Sequence, residues 1–141
     1  MAAKSSTTSA PATSVKMTTR ATAPDAPLFE MIERCAMAWR ESTRFDEAWA
    51  KLKRAGGDSA KIEQLFERSK QLGSEAIDLE WKIREAEVFT PQGLAAKISA
   101  IRRAEFNDGD MPAILELLER DAERIGAGKR RKPDAEQHAA R

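Results

Sequence analysis

The chain has 141 residues, enough for one domain, of which 33% are charged and 6% aromatic, with a formal net charge of +1. A near-neutral balance excludes a strongly basic nucleic-acid-binding surface as the dominant feature, and the single cysteine, Cys35, excludes an intrachain disulfide and suits a reducing compartment. No apolar run approaches the roughly 18 residues of a membrane span, and the N-terminus lacks the apolar stretch of a secretory signal, so the expected location is the cytoplasm, away from membranes.

Charge is unevenly placed. Residues 1–24 carry Lys4, Lys16 and Arg20 and no acid, while residues 129–141 carry Lys129, Arg130, Arg131, Lys132 and Arg141 against Asp134 and Glu136. Removing both ends leaves 16 basic and 21 acidic groups in 25–128, a net of −5. Residues 1–24 are rich in Ser, Thr, Ala and Pro with almost no large apolar side chains, and so are expected to be a disordered extension.

Order is predicted to begin at Asp25-Ala26-Pro27, where proline tolerates the first helical turn and Asp25 or a neighbour caps it. Leu28, Ile32, Cys35, Trp39, Phe45, Trp49 and Leu52 then recur at helical spacing over 27–55, up to Gly56-Gly57. A second helix over 60–89, capped by Asp58 or Ser59, carries a heptad seam. Ile62, Ser69, Ala76 and Ile83 fill its a sites and Leu65, Leu72, Leu79 and Ala86 its d sites, the pattern of a helix lying along another in a coiled coil. Small Ser69 and Ala76 at a sites favour a neighbour in the same chain over a parallel dimer. Two helices of matched length with a short connection make an antiparallel hairpin. Acid–base pairs at i,i+4 (Glu30–Arg34, Glu47–Lys51, Asp78–Lys82, Glu80–Arg84) are expected to mark its wet outer faces.

Thr90-Pro91 opens a third helix over 91–105, through Leu94, Ile98 and Ile101. Asn107-Asp108-Gly109-Asp110 breaks it, and a fourth helix over 111–125 presents Ile114, Leu115, Leu117, Leu118, Ala122 and Ile125. Gly126-Ala127-Gly128 is expected to end the 25–126 helical domain, leaving 127–141 as a disordered basic tail. The fold class predicted is therefore all-α: a long antiparallel helical hairpin, two shorter helices near its open end, and disordered termini.

Chemistry-bearing patterns are sparse. Trp39, Trp49 and Trp81 sit at helical spacing among apolar residues and read as core rather than as a ligand pocket. Cys35 shares an apolar face with Ile32 and Trp39 and reads as a buried structural thiol. The only histidine, His138, is remote in the tail. Inward Glu-x-x-His pairs, a Gly-rich phosphate loop, a CxxC pair and a Ser/His/Asp set are all missing from the sequence, so the expectation is no enzyme, no catalytic or metal residues and no cofactor. Two surfaces remain. Ile77, Trp81 and Val88 form a second stripe on the second helix, a candidate interface for a homodimer or a helical protein partner, with intrachain core as the alternative. Lys129, Arg130, Arg131 and Lys132 are the candidate nucleic-acid contact.

Three further segments stand in order: Pro27-Leu28-Phe29-x-x-Ile32-Glu33-Arg34, Thr90-Pro91-x-Gly93-Leu94-Ala95-Ala96-Lys97, and Leu117-Leu118-x-x-Asp121-x-x-Arg124-Ile125. Together they resemble a family of small, uncharacterised helical bacterial proteins, over about residues 25–125. The resemblance implies a helical hairpin followed by a short helical pair and implies no activity. Members of that family often carry histidine where Cys35 stands, so nothing that histidine does is carried over. The functional expectation is a non-enzymatic interaction or scaffold protein, with a nucleic-acid-associated regulator acting through the basic tail as the alternative.

Overall fold

The computed structural model describes the backbone of residues 23–139 and the side chains of 23–128. The predicted disordered extension lies almost wholly outside those residues, as does the basic tail's side-chain chemistry. After a 3-10 turn at Ala23–Asp25 the chain forms α1 (Ala26–Arg54), α2 (Ser59–Glu85), α3 (Pro91–Ala104) and, following a second 3-10 turn at Asp108–Asp110, α4 (Met111–Ala139). Every described element is helical, as the periodicity predicts.

Helix α1 starts with Pro27 in its first turn and ends in Lys51, Lys53 and Arg54, cations favoured at the negative end of the helix dipole. Its termination is glycine-driven: Gly56 takes φ +68, and Ala55, Gly56 and Gly57 donate back to the last carbonyls of the helix. Asp58 then caps α2, accepting from Ala60 N at 3.3 Å.

The pairing is antiparallel, since contacts advance along α1 as they retreat along α2. Cys35 Sγ reaches Ala76 O (3.5 Å), Ser42 Oγ reaches Ser69 O (3.1 Å), and Trp49 stacks on Phe66 at 5.5 Å. The heptad seam is buried here, at Ser69, Leu72, Ala76, Leu79 and Ile83, and its small a-site residues let the two backbones approach. Ser69 Oγ also donates to Asp46 (2.6 Å) and lies 3.2 Å from Ser42 Oγ. Serines deep in an apolar seam are satisfied only when paired, so this cluster fixes the register of the hairpin.

Toward its open end the hairpin forms the core with α3 and α4. Leu28, Cys35, Ala38, Ala76, Leu79, Ile83 and Val88 cluster there, and Ile101 and Ile114 are buried as well. Burying Ile83, Val88 and Ile114 contributes about 1.5–3 kcal/mol each. Toward the turn, where only two helices are present, Phe45, Trp49, Leu52, Ile62 and Leu65 stay half-buried.

Several expectations need correction. Helix α2 stops at Glu85 rather than near 89: Ala86 turns extended (ψ 135), and 86–90 is a linker. The approach of Pro91 helps set this, because Thr90 is held extended (φ −127, ψ 152) as a residue before proline must be. Helix α4 does not break at Gly126-Ala127-Gly128 but runs to Ala139. Asp25 precedes α1 without capping it through its side chain. Of the i,i+4 pairs, Glu80–Arg84 is not a wet one, since Glu80 accepts from Trp39 and Arg84 is buried; the other three lie at exposed positions, where Arg34 reaches across to Glu75 (3.8 Å).

Candidate functional site

Three charged side chains converge beneath the 86–90 linker. Lys97 on α3 and Asp121 on α4, 1% and 2% exposed, form an ion pair at 2.7 Å. Lys97 Nζ also donates to Ala86 O (2.7 Å), the carbonyl freed where α2 ends. Asp121 Oδ1 accepts from Val88 N (3.1 Å) and from Arg124 (2.7 Å), and Arg124 in turn donates to Val88 O (3.0 Å). Both peptide groups of Val88 are thus bonded to side chains, which is what an extended linker under a helical cap requires. On the other flank, buried Asp25 accepts from Phe89 N (2.9 Å), Thr90 N (2.9 Å) and Thr90 Oγ1 (2.6 Å). Thr90 Oγ1 accepts from Gly93 N (3.0 Å), capping α3. Asp25, Lys97 and Asp121 are buried and position backbone, while Arg124 is partly exposed.

The surface they position is aromatic. Trp39 on α1 donates its indole N–H to Glu80 on α2 (2.6 Å). Trp81 meets Phe106, from the loop after α3, edge-on at 5.4 Å. The Arg84 guanidinium lies 4.4 Å over the Trp81 ring and 5.8 Å from Phe106. Its Nε and Nη1 make no hydrogen bond among the described residues, and its charge is balanced by Glu85 (3.4 Å) and Asp110 (3.7 Å). A buried guanidinium lying over an aromatic face is stabilised by cation–π attraction in place of hydrogen bonds.

Between α1, α2 and α3 the same region opens into an apolar cleft of about 180 Å³. Ile32, Cys35, Trp39, Ile83, Ile101 and Phe106 are among its walls, and Glu80 and Arg103 also line it. Burial pushes the Cys35 thiol above its ordinary range, reinforced by the negative charge of Glu80 and opposed by Arg103. A raised, neutral thiol is a poor nucleophile, in keeping with a structural role. Among the described residues no group of three His, Cys, Asp or Glu side chains is arranged to hold a metal, and no helix is long and apolar enough to cross a membrane.

Burial likewise pushes the Glu80 carboxyl up, against the opposing hydrogen bond from Trp39. A carboxyl raised in the folded state binds its proton more tightly there than in the unfolded chain, so ionising it as pH climbs through the raised value lowers stability. Glu80→Gln stays neutral and can still accept from Trp39. Its melting temperature is therefore expected to match wild type at about pH 4 and to exceed it modestly at about pH 7. Circular-dichroism melts at both pH values read the difference, and a variant less stable at neutral pH would mean that the carboxylate is held by something other than Trp39.

The residues singled out from sequence separate into three environments. Ile77 and Trp81 lie on the exposed side of α2, at 46% and 43% exposure. Val88 does not join them: it has left the helix and is fully buried in the core, because the linker turns it inward. The tryptophans read as core are not core, with Trp39 and Trp81 exposed and Trp49 half-buried. Lys129, Arg130, Arg131 and Lys132 lie outside the residues whose side chains are described. Asp25, Lys97, Asp121 and Arg124, which the sequence reading gave no such role, carry the buried polar clamp. Comparison of the chain with family models, with curated proteins and with solved structures found no match.

Proposed function

We propose that the chain is a non-enzymatic helical interaction protein that pairs with a second copy through the α2 face around Ile77 and Trp81. The observation carrying this reading is the exposure of Ile77 and Trp81, at 46% and 43%, one helical turn apart on a helix whose opposite side is fully buried. An antiparallel two-fold contact centred between them would set Ile77 of each subunit against Trp81 of the other, as an isologous interface demands. Asp78 and Lys82 flank the patch with both signs of charge, so the surface is self-complementary. The clamp under the linker supports the same reading, since it spends its buried charges on holding backbone rather than on solvent-facing chemistry.

Size-exclusion chromatography with light scattering at low and high salt tests the proposal, with a salt-resistant dimer as the expected result. Trp81→Asp and Ile77→Asp should each yield a monomer with unchanged helical circular dichroism. Ile77→Asp is the cleaner variant, because it leaves the Arg84–Trp81–Phe106 stack in place. A wild-type monomer at every concentration would overturn the reading and leave Trp81 as a seat for Arg84 alone.

A further inference from the structure

We propose that the apolar cleft between α1, α2 and α3 is a binding site for one small neutral aromatic molecule, a single benzene-sized ring without a charged group. The inference goes beyond subunit pairing and does not depend on it.

The room comes from small side chains in a frame that cannot close over them. Ala36 on α1 and Ala100 and Ala104, one turn apart on α3, each line the cleft with only a methyl group, and the space left is about 180 Å³. Helix α3 is not free to settle into it. Lys97 ties its middle to Ala86 O and to Asp121, at 2.7 Å each, and Thr90, held by Asp25, fixes its start. Helices α1 and α2 are locked to each other by Ser42 and Ser69. The cleft is therefore preformed. Its volume is close to the ~150 Å³ of an apolar cavity that takes up one benzene ring, and far below the ~300–1,000 Å³ of drug-sized pockets.

The walls then decide the chemistry. Ile32, Ile83 and Ile101 supply branched aliphatic surface, while Trp39 and Phe106 bring ring surface from two different elements. Aromatic neighbours, and a sulfur such as that of Cys35, favour a ring over an aliphatic chain of equal size. The polar protons of these walls are already taken, the Cys35 thiol by Ala76 O (3.5 Å) and the Trp39 indole N–H by Glu80 (2.6 Å). Arg103 is solvent-exposed and keeps its charge in water. A carboxylate or other polar ligand would leave water without gaining a partner among these walls, whereas a neutral ring loses no hydrogen bond on entry.

The test is an NMR titration of the full chain with benzene that follows the Trp39 indole N–H, assigned by its loss in Trp39→Phe. A saturable shift is expected, with a dissociation constant on the order of 1 mM, attainable for so small a ring. The indole of Trp49, near the hairpin turn, should not move. Benzoate and benzylammonium, the same ring carrying a charge of either sign, should bind about ten-fold or more weakly. Ala104→Leu and Ala36→Leu each extend a side chain into the space, and each should weaken benzene binding about ten-fold or more with unchanged helical circular dichroism. Ala36 is at an exposed position, so its variant tests the site even if leucine at 104 disturbs α3. Any of three results would overturn the proposal: no saturable shift with benzene, undiminished binding in the Ala36→Leu variant, or a charged ring bound as tightly as benzene.

Discussion

Asp121→Ala is expected to remove about 3–5 kcal/mol of folding free energy, the characteristic cost of stranding one member of a buried ion pair. Lys97, 1% exposed, would be left with only Ala86 O to receive its protons, and Val88 N would lose its acceptor. Lys97→Met should cost less, about 1–3 kcal/mol, because Asp121 would still hold Arg124 at 2.7 Å and Val88 N at 3.1 Å. The asymmetry is the informative part, since a purely electrostatic pair would respond alike to loss of either partner. A Lys97→Met/Asp121→Ala double variant should be less destabilised than the sum of the singles, the coupling expected of residues in one network. Urea unfolding followed by circular dichroism gives all the values. For a domain whose total stability is about 5–15 kcal/mol, the larger loss would take about a fifth or more. If Asp121→Ala costs under about 1 kcal/mol, the Lys97 ammonium reaches water and the clamp is not structural.

That clamp also shows what the sequence could and could not disclose. The helices, both hairpin partners, the Gly56 turn and the Thr90 cap were legible, because period, glycine and proline act locally. The end of α2 was not: Ala86, Glu87 and Val88 have no breaker among them, and beside the approach of Pro91 it is a tertiary contact, Lys97 bonding the Ala86 carbonyl, that satisfies the helix end there. Lys97 itself left a trace. It sits three residues after Leu94 and four before Ile101, on the buried stripe of α3, and Asp121 falls between Ile114 and Ile125 on that of α4. A lysine and an aspartate each placed on a core stripe, in helices meant to pack together, is the signature of a buried pair. Reading charges as solvent-facing by default concealed it. Trp39 and Trp81 failed in the opposite way. Helical spacing assigned them a face, yet only the third helix and its loop decide which face is covered, and those cover just part of it.

The aromatic face and the cleft were less legible still, for a geometric reason. Glu80 and Arg84 are spaced as a surface ion pair, but Glu80 turns to Trp39 and Arg84 lies over Trp81 with Phe106 close by. Phe106 comes from the loop after α3, and the left-handed Glu105 (φ 53) that ends that helix helps to set its direction. Nothing in the spacing of α2 could announce a partner supplied 25 residues later by a loop.

Gly93→Ala should destabilise the protein by about 2–4 kcal/mol, although alanine is the better helix former by about 1 kcal/mol. A Cβ at Gly93 would land on the Asp25 carboxylate, 2.7 Å from its Cγ, and 2.9 Å from Val88 Cγ1. Neither neighbour can retreat cheaply. Val88 is fully buried, and Asp25 holds Phe89 N, Thr90 N and the Thr90 hydroxyl at once, so displacing it forfeits three bonds to a buried carboxylate. Gly73→Ala is the matched control. Its Cβ would meet Ser42 Oγ at 3.7 Å and Trp39 Cζ3 at 4.0 Å, ordinary contacts, so the helix preference should prevail and stability should rise by about 0.5–1 kcal/mol. Opposite signs for the same substitution in two helices of one protein, read from the same unfolding curves, would place the difference in the Asp25 contact rather than in helix propensity. If Gly93→Ala also raised stability, Asp25 would be free to move aside, and the linker would rest on Lys97, Asp121 and Arg124.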